Sequence, residues 1–407
     1  MARGWSPGDD TAVDRGGAHV ILRKTMSLNF PPDLTAAQDA IWRDQQLFPG
    51  RPIYNTGQVL SIQGELRFDL FERALCATVA ESPWLRLARQ SSPLHFELPL
   101  LDFREQKNAF DAAQQWMRDE MSRAISLEDP VLFRFALLRI TSNYTLWFQK
   151  YHHIIMDATA RRLVSARTAA RYRALRFGEP LSELNAYTPD ELLDAERRYR
   201  ASLDHETDRA YWLKRFVDWP GPLLEINRQN TERAKSGCHA RIDFFWKRSD
   251  FRRLEEAAGS SGSSAFRAII ALTYAAFALL YGRSEIVLGI QLAYRSDERA
   301  KQVIGLMARP LPMLLKVAHS TSVSDAVRQI DEVRAQDYPH RFFSLQELLG
   351  ELGILRKGHH NLYDAVINYI PARYDFSFEV TPVEITNLSY GFTAPWVVNH
   401  CRYWRHA

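Results

Sequence analysis

The chain has few cysteines for its length of 407 residues. The three that occur, Cys76, Cys238 and Cys401, are scattered, odd in number and never in the C-x-x-C spacing. This pattern argues against a disulfide framework and against a cysteine-ligated zinc site. It is typical of a protein in a reducing compartment, so we expect a cytoplasmic protein without a bound metal.

Membrane-spanning apolar runs are also missing. The strongly apolar stretch Ala268–Tyr281 has the length of a buried core helix, whereas a membrane span needs about 20 apolar residues. The first 25 residues have no apolar centre of the kind that a signal peptide requires. We therefore expect no membrane association, and we interpret residues 1–26 as a disordered or non-native N-terminal tail.

A glycine-rich phosphate-binding loop is absent too, so we predict no bound nucleotide. The net charge of +4 is mild and falls short of the concentrated basic surface of a nucleic-acid-binding protein. No nucleic-acid partner is therefore expected. Hydrophobic residues make up 46% of the chain, which is enough to bury a sizeable core.

What the sequence does contain is two blocks in which strands often follow strands. In the first block, Val131–Ile140 predicts a strand and Tyr144–His153 predicts its hairpin partner. In the second block, the predicted strands are His239–Lys247, Glu285–Ala293 and Arg309–Val317. Strands in succession, mixed with helices, favour an α+β fold over a strictly alternating βαβ fold.

The motif of greatest chemical interest lies in the stretch "FQKYHHIIMDATARRL". Adjacent histidines, His152 and His153, are followed four positions after the second by Asp157. Strand side chains alternate, which predicts that the two histidines face opposite sides of a sheet. A helix that starts at Ala158 would make Asp157 its N-cap. A neutral imidazole can take a proton from an amine or alcohol that attacks a carbonyl group.

Other interpretations of these residues stay open. Adjacent histidines near a strand end are often structural, and an aspartate before a helix is often only a cap. A metal site is disfavoured, because opposite-facing side chains cannot easily share one ion. A second pair, His359 and His360, has no matching aspartate and is interpreted as surface. The arginines after Asp157 are interpreted as a solvated helix face, with guidance of an acidic carrier protein or a pantetheine phosphate as the alternative.

The chain as a whole resembles the condensation domains of nonribosomal peptide synthetases. The hallmark of that family is HHxxxDG, and "HHIIMDA" at residues 152–158 matches it except at the last position. Five further segments resemble other motifs of the family and occur in the same order. They are "LTAAQDAIW" (34–42), "SPWLRL" (82–87), "VIGLMARPLPMLL" (303–315), "AQDYPHR" (335–341) and "HHNLYDAVINY" (359–369).

The resemblance implies an α+β fold of two chloramphenicol-acetyltransferase-like lobes, which form a V-shaped pseudodimer with a central tunnel. Residues 27–180 would form the N-terminal lobe and residues 181–407 the C-terminal lobe. We expect a monomer, since the two lobes already supply both halves of the tunnel. Carrier proteins would deliver substrates on 4'-phosphopantetheine, with coenzyme A as the alternative, and no cofactor would stay bound.

The resemblance also implies roles for individual residues. His153 would lie at the tunnel centre and would orient the nucleophile, take its proton or stabilise the tetrahedral intermediate. Asp157 and His152 complete the catalytic motif, His152 as a structural support and Asp157 as an orienting group. Arg295 stands where the family has the arginine that pairs with this aspartate. Asn368 is a possible tunnel residue.

Three features depart from the family pattern. Ala158 replaces the motif glycine, and its methyl group could narrow the tunnel. Arg309 replaces an asparagine and is a possible tunnel residue that could be solvated, could bind an acidic substrate or could point outward. The chain also stops early, so the last strand and the closing helix of the C-terminal lobe could be missing.

Three functions are consistent with this pattern. The first is a stand-alone condensation enzyme, in which an amine attacks a carrier-bound acyl thioester and forms an amide. The second is an O-acyltransferase that forms an ester from a coenzyme A or carrier thioester. The third is a catalytically inactive, truncated domain that serves only in docking.

Overall fold

The structure is a computed structural model that describes residues 34–86, 94–223, 246–260, 262–316, 321–359, 361–370, 375–389 and 396–401. The chain divides into residues Met1–Leu34 and a second unit, Thr35–Ala407, to which all the elements below belong. The tail predicted at residues 1–26 lies outside the described residues, as does most of the predicted strand His239–Lys247.

Helices and strands are mixed along the described part of the chain. The helices are α1 (Ala36–Leu47), α2 (Phe68–Ala80), α3 (Ala109–Ser122), α4 (Ala158–Phe177), α5 (Pro189–Arg200), α6 (Leu203–Arg215), α7 (Arg248–Ser260), α8 (Ala265–Tyr281), α9 (Val323–Asp337) and α10 (Leu345–Glu351). The strands are β1 (Asn55–Gln63), β2 (Leu100–Asp102), β3 (Phe133–Thr141), β4 (Tyr144–His152), β5 (Glu285–Leu292), β6 (Arg309–Lys316), β7 (Ala365–Ile370), β8 (Glu384–Ser389) and β9 (Trp396–Cys401).

The first sheet has five strands in the order β2-β3-β4-β1-β8. Strands β3 and β4 form the predicted hairpin, and β4 lies antiparallel to β1 in a register that pairs His152 with Asn55. Helices α2 and α4 cover one face through Phe71 and Tyr172, while α3 covers the other through Met117. Because both faces are covered, β4 is buried along almost its whole length, which explains its apolar centre.

The edge strand β8 comes from the C-terminal part of the chain and pairs antiparallel with β1. Just before it, Phe378 is fully buried among Phe71, Trp147 and Tyr172, with ring centroids 5.2, 5.8 and 5.7 Å away. Residues 375–389 therefore complete the core of a sheet whose other strands all precede residue 153. The lobe boundaries that the resemblance implies stay a prediction.

The second sheet has four strands in the order β6-β5-β7-β9. Strand β5 lies antiparallel to β6, and β7 lies parallel to both β5 and β9. Helices α8 and α9 pack on this sheet through Tyr274 and Ile330. The predicted strands at 285–293 and 309–317 are confirmed within one residue at their ends, and so is the α+β class. The segment at 396–401 contributes a further strand, β9.

None of the described helices is by itself long and apolar enough to cross a membrane. Helices α7 and α8 reach that length and composition only as a pair, and the chain bends by 98° between them. The apolar stretch at 268–281 lies within α8, whose residues Ile270 and Tyr274 belong to the core of the second sheet.

Candidate active site

The histidine motif lies where the first sheet meets α4. Strand β4 ends at His152, and His153–Ile155 form a short 3-10 turn. Our expectation that both histidines belong to one strand is therefore wrong, because the strand ends at the first of them. The pairing of His152 with Asn55 is the last of the ladder between β1 and β4, and the His153 amide donates instead to the Tyr54 carbonyl at 2.8 Å.

The first histidine of the motif, His152, is a buried structural group. Its Nδ1 accepts a hydrogen bond from the Ile154 amide, and its Nε2 lies 3.2 Å from Oε1 of Gln45. Because the Gln45 amide nitrogen donates to the carbonyls of Phe48 and Arg51, the Gln45 oxygen must be the acceptor. The proton of His152 is therefore on Nε2. Burial lowers the pKa of His152 to about 3, so this ring is neutral at pH 7.

The second histidine, His153, has the opposite tautomer. Its Nδ1 lies 2.5 Å from the carbonyl oxygen of Met156, which can only accept a hydrogen bond. The proton is therefore on Nδ1, and Nε2 keeps its lone pair. Burial lowers the pKa of His153, against the opposing effects of the Met156 carbonyl and the Asp157 charge. The ring is thus a neutral base whose free atom is Nε2.

The stability of the folded chain should fall as the pH falls from about 6.5 to 5, because unfolded histidine binds a proton there and buried His152 does not. A group with a depressed pKa contributes stability above its unfolded pKa, and this contribution is lost as the pH decreases. The free energy of unfolding can be measured with urea at a series of pH values. Its slope against pH should be smaller in His152→Asn than in the parent protein by ~1.4 kcal/mol per pH unit, which corresponds to one bound proton. An unchanged slope would contradict the burial argument. Exposed His95 replaced by asparagine is the control.

Asp157 begins α4 and also joins distant parts of the chain. As the N-cap, its Oδ1 accepts from the Ala160 amide at 2.8 Å. Its Oδ2 accepts from the amides of Met307 and Ala308 at 3.0 and 3.1 Å, and Arg295 donates to both oxygens at 2.8 and 3.1 Å. Burial alone would raise the pKa of Asp157, but Arg295 and the amides lower it below its ordinary value.

Arg295 follows β5 and is as deeply buried as its partner. The side chains of Arg295 and Asp157 are 3% and 2% exposed. The guanidinium group also donates to the carbonyls of Val303 and Gly305, at 3.2 and 3.0 Å. Arg295 thus connects the end of β5 and the segment before β6 to the N-terminus of α4, which follows the turn that contains His153. The arrangement holds the histidine turn in one conformation.

Close packing at Gly305 supports the same segment. An added Cβ at Gly305 would lie 2.7 Å from Cγ of Trp84, well inside van der Waals contact. Trp84 itself is buried and donates from Nε1 to the Tyr187 carbonyl at 2.8 Å. The tryptophan ring cannot move aside without breaking this bond, which is why the position needs glycine.

We expect Gly305→Ala to destabilise the protein by about 1–3 kcal/mol through overpacking against Trp84. Gly350→Ala is the matched control, because an added Cβ there, within α10, meets nothing within 4 Å. That control should be neutral or stabilising, by at most ~1 kcal/mol. Thermal unfolding of both variants measures the difference. Equal melting temperatures would show that the Trp84 contact yields without strain.

The remaining predicted site residues lie close to this network or in the second sheet. Ala158 is the first residue of α4, half-buried and without a positive φ, so its backbone does not require the family's glycine. Arg309 is the first residue of β6 and follows Ala308 directly. Asn368 lies in β7, opposite Asn399 of β9. Neither Arg309 nor Asn368 is among the groups that bind Asp157.

The interpretation of the arginines in α4 as a solvated face is wrong for several of them. Arg161 is only 6% exposed. Arg167 and Arg171 both donate to the Glu81 carboxylate, and Arg173 pairs with Glu179. Arg167, Arg171 and Arg173 are held by carboxylates that lie outside the helix, and Arg161 donates to the Gly57 carbonyl. A helical pattern alone gives no sign of these partners.

Sequence reasoning assigned no contact with the histidine motif to two glutamines of α1, although Gln38 lies in the segment that resembles the family's opening motif. Gln45 orients His152, and Gln38 donates to the carbonyl of Ile154 at 3.3 Å. The two are seven residues apart, which is two helical turns and places them on one face. That spacing was the available signal. Of the second histidine pair, His359 packs edge-on against Trp219 at 5.2 Å, while His360 lies outside the described residues.

A cavity of about 420 Å³ borders the segment that binds Asp157. Met307, Tyr294 and Phe342 contribute to its wall, together with carboxylates from α5 and from Asp297. Within the described ranges, no group of three or more His, Cys, Asp or Glu residues is arranged to hold a metal ion.

The family model and the most similar relatives indicate the same family for this chain. The family model described as Condensation domain matches residues 32–392. The chain is 30% identical over 369 residues to an isonitrile lipopeptide synthase of Streptomyces coeruleorubidus, and 28% identical over 371 residues to a dimodular nonribosomal peptide synthase of Bacillus subtilis (strain 168). Each alignment covers 88% of this chain but only 25% and 15% of those relatives. The chain thus spans a quarter or less of their length.

Solved structures agree with the sequence comparison. The first condensation domain of the calcium-dependent antibiotic synthetase, in complex with a substrate analogue, has a TM-score of 0.78 and 26% identity, covering 90% of this chain and 86% of that one. A mutant starter condensation domain of rhizomide synthetase in complex with C8-CoA has a TM-score of 0.78 and 25% identity, covering 93% and 87%. The two-sheet α+β architecture is that of the chloramphenicol-acetyltransferase-like pseudodimer.

Proposed function

The chain belongs to the condensation domain family, whose members are acyltransferases that form amide bonds in nonribosomal peptide synthesis, and from this we propose that it joins an amine to an acyl thioester at His153. The proposal depends on one observation. Nδ1 of His153 donates its proton to the Met156 carbonyl, which leaves Nε2 as a neutral acceptor. A base of this kind is needed wherever an attacking amine must lose a proton.

The reaction follows from the chemistry of the two groups. The amine nitrogen attacks the thioester carbonyl, a C–N bond forms, and the C–S bond breaks to release the thiol. The proton that the amine loses passes to Nε2 of His153 and from there to the departing sulfur. Asp157 does not take part in proton transfer in this mechanism. It holds the turn that carries His153, and it stays ionised because Arg295 and three backbone amides stabilise its charge.

We propose that the donor acyl group arrives on the 4'-phosphopantetheine of a carrier protein, with an acyl-coenzyme A as the alternative donor. The C8-CoA complex of the rhizomide starter domain is consistent with either source. Substrates would meet in a tunnel between lobes formed by residues 27–180 and 181–407. Arg309 and Asn368 are the candidates for residues that line it. The unit would act as a monomer and in a stand-alone manner, on partners supplied in trans.

Intact-mass spectrometry of carrier proteins tests the proposal. One carrier bears an acyl-pantetheine thioester, and the second bears an aminoacyl group; a free amine and a free alcohol are run in parallel. The proposal predicts that the acyl mass moves to the aminoacyl carrier or to the free amine. Transfer to the alcohol alone would identify an ester-forming O-acyltransferase. No transfer to any acceptor, by protein shown to be folded, would indicate an inactive docking domain.

A further inference from the structure

Tyr294, which precedes Arg295, has an unusual backbone conformation. It is the one non-glycine residue with a positive φ, 53°, among the described residues. The left-handed region is unfavourable for a residue with a Cβ, and such conformations cluster at functional sites. Its side chain is held on two sides: the hydroxyl donates to the Arg341 carbonyl at 2.9 Å, and the ring meets Phe342 edge-on at 6.1 Å.

The ring of Tyr294 also supports a cation. The guanidinium carbon of Arg309 lies 4.3 Å from the Tyr294 ring centroid, within cation–π distance. In the described chain, Arg309 forms no ion pair with a carboxylate, in contrast to Arg167 and Arg171 of α4. Burial raises the pKa of Tyr294, and the charge of Arg309 acts in the opposite direction. A half-buried guanidinium therefore has an aromatic platform but no counter-ion.

A second guanidinium reinforces the positive charge at this place. Arg341 lies over the rings of Tyr338 and Phe342, at 4.0 and 4.3 Å, and donates to the Tyr338 carbonyl at 2.8 Å. It too has no carboxylate partner within the residues that the structure describes. The charge of Arg341 likewise opposes the effect of burial on the pKa of Tyr294. Both cations thus act on one tyrosine.

Arg309 and Tyr294 are each adjacent in sequence to a residue that binds Asp157. Arg309 follows Ala308, whose amide binds Asp157, and Tyr294 precedes Arg295, whose guanidinium binds the same carboxylate. Two consecutive Cα atoms are about 3.8 Å apart, so the Cα atoms of Arg309 and Tyr294 lie at that distance from those of the residues that bind Asp157. Arg309 is not among the residues that line the cavity that Tyr294 borders, whose charged side chains are Arg198 and three carboxylates.

We propose that Arg309 binds an anionic group of a substrate, a carboxylate or a phosphate, and that Tyr294 positions it for this purpose. The inference rests on the proposed function, since it concerns a substrate of that reaction. A guanidinium that contacts a ring through a cation–π interaction still has N–H donors for the bidentate geometry that carboxylates and phosphates accept. No carboxylate of the described chain forms an ion pair with Arg309, so an anionic ligand would not have to displace one.

Calorimetric binding to matched pairs of probes tests the inference without requiring turnover. The carboxylate pair is N-octanoylglycine and N-octanoylglycinamide, and the phosphate pair is 4'-phosphopantetheine and pantetheine. We expect the charged member of one pair to bind at least about tenfold more tightly, because hydrogen bonds to charged groups are strong. Arg309→Gln should reduce that ratio to near one, and Arg309→Lys should keep part of it.

The control variant is Arg328→Gln, which makes the same change in net charge at an exposed residue of α9. It should leave both ratios unchanged. If the affinity ratio of charged to neutral probe depends on Arg309 in the first pair, the bound group is a carboxylate. If it depends on Arg309 in the second pair, the bound group is a phosphate. Ratios near one in the parent protein, or ratios that Arg309→Gln does not change, would overturn the inference. Because binding is measured directly, a failure here is distinguishable from a failure of acyl transfer.

Discussion

Replacing His153 with alanine should lower the rate of acyl transfer by about 10²–10⁴-fold, the usual contribution of a general base. The physical reason is the loss of Nε2, which the hydrogen bond from Nδ1 to Met156 keeps unprotonated. The folded chain should tolerate the change, since that bond is the only side-chain hydrogen bond of His153 in the described structure. The rate is measured by the mass shift of the acyl-acceptor carrier under single-turnover conditions.

Replacement of the neighbouring histidine is the matched control. His152→Ala removes a buried ring that bonds to Gln45 and Ile154, so we expect lower stability, by about 1–3 kcal/mol from the unsatisfied partners. The rate per folded molecule should change much less than in His153→Ala. If His152→Ala were slow and His153→Ala were nearly as fast as the parent, the assignment of the base would be reversed. Equal rates in all three proteins would remove the base from the mechanism.

The second large effect is expected on stability. Asp157→Asn should destabilise the protein by about 3–5 kcal/mol, the range for breaking a buried ion pair from one side. Both oxygens of Asp157 accept hydrogen bonds, whereas asparagine has only one oxygen. The NH2 group of the asparagine would therefore face a hydrogen-bond donor. Arg295, 3% exposed, is left as an uncompensated buried charge. Urea unfolding at pH 7 measures the loss.

A double-mutant cycle separates the contribution of the ion pair between Asp157 and Arg295 from the contribution of Asp157 as the N-cap of α4. The double variant Asp157→Asn with Arg295→Met removes the orphaned cation, and it should recover part of the stability lost in the single variant. Strict additivity of the two single changes would contradict a direct interaction. The distinction matters because Asp157 also caps α4 through the Ala160 amide, a contribution of only about 1 kcal/mol.

Acid titration gives an independent check on the same pair. The pKa of Asp157 is lower in the folded state than in the unfolded chain, so its contribution is fully present above an unfolded value of about 3.9. The contribution is lost as the pH falls through the folded pKa. The parent protein should therefore lose more stability than Asp157→Asn below about pH 4. Parallel acid-unfolding curves would show that the carboxylate is not specially stabilised.

The local sequence was sufficient for elements whose causes are local. The hairpin of β3 and β4 follows from two β-rich runs around a short polar turn, and Asp157 is a cap because it precedes a helical segment. The ordered motifs between residues 34 and 369 predicted the family, since each reflects constraints at its own positions. The α+β class followed from the succession of strands.

Other features depend on partners far away in the chain, which no local pattern describes. The end of β4 at His152 is set by its pairing with Asn55 of β1, so the expected continuation of the strand through His153 was wrong. Arg167 and Arg171 of α4 are paired because Glu81 packs against them, and not because of their spacing. The participation of β8 in the first sheet depends in the same way on β1.

By itself the sequence therefore determined the kind of chemistry, through two histidines and an aspartate at a spacing that a strand end and a helix start bring together. Only the tertiary structure decided which ring nitrogen carries the proton in each histidine. The tautomers of His152 and His153 depend on Gln45 from α1 and on the Met156 carbonyl. The ionisation of Asp157 depends on Arg295 and on backbone amides, which carry no side-chain signature. Hydrogen-bond partners in space, and not neighbours in sequence, set the proton positions on which the proposed reaction depends.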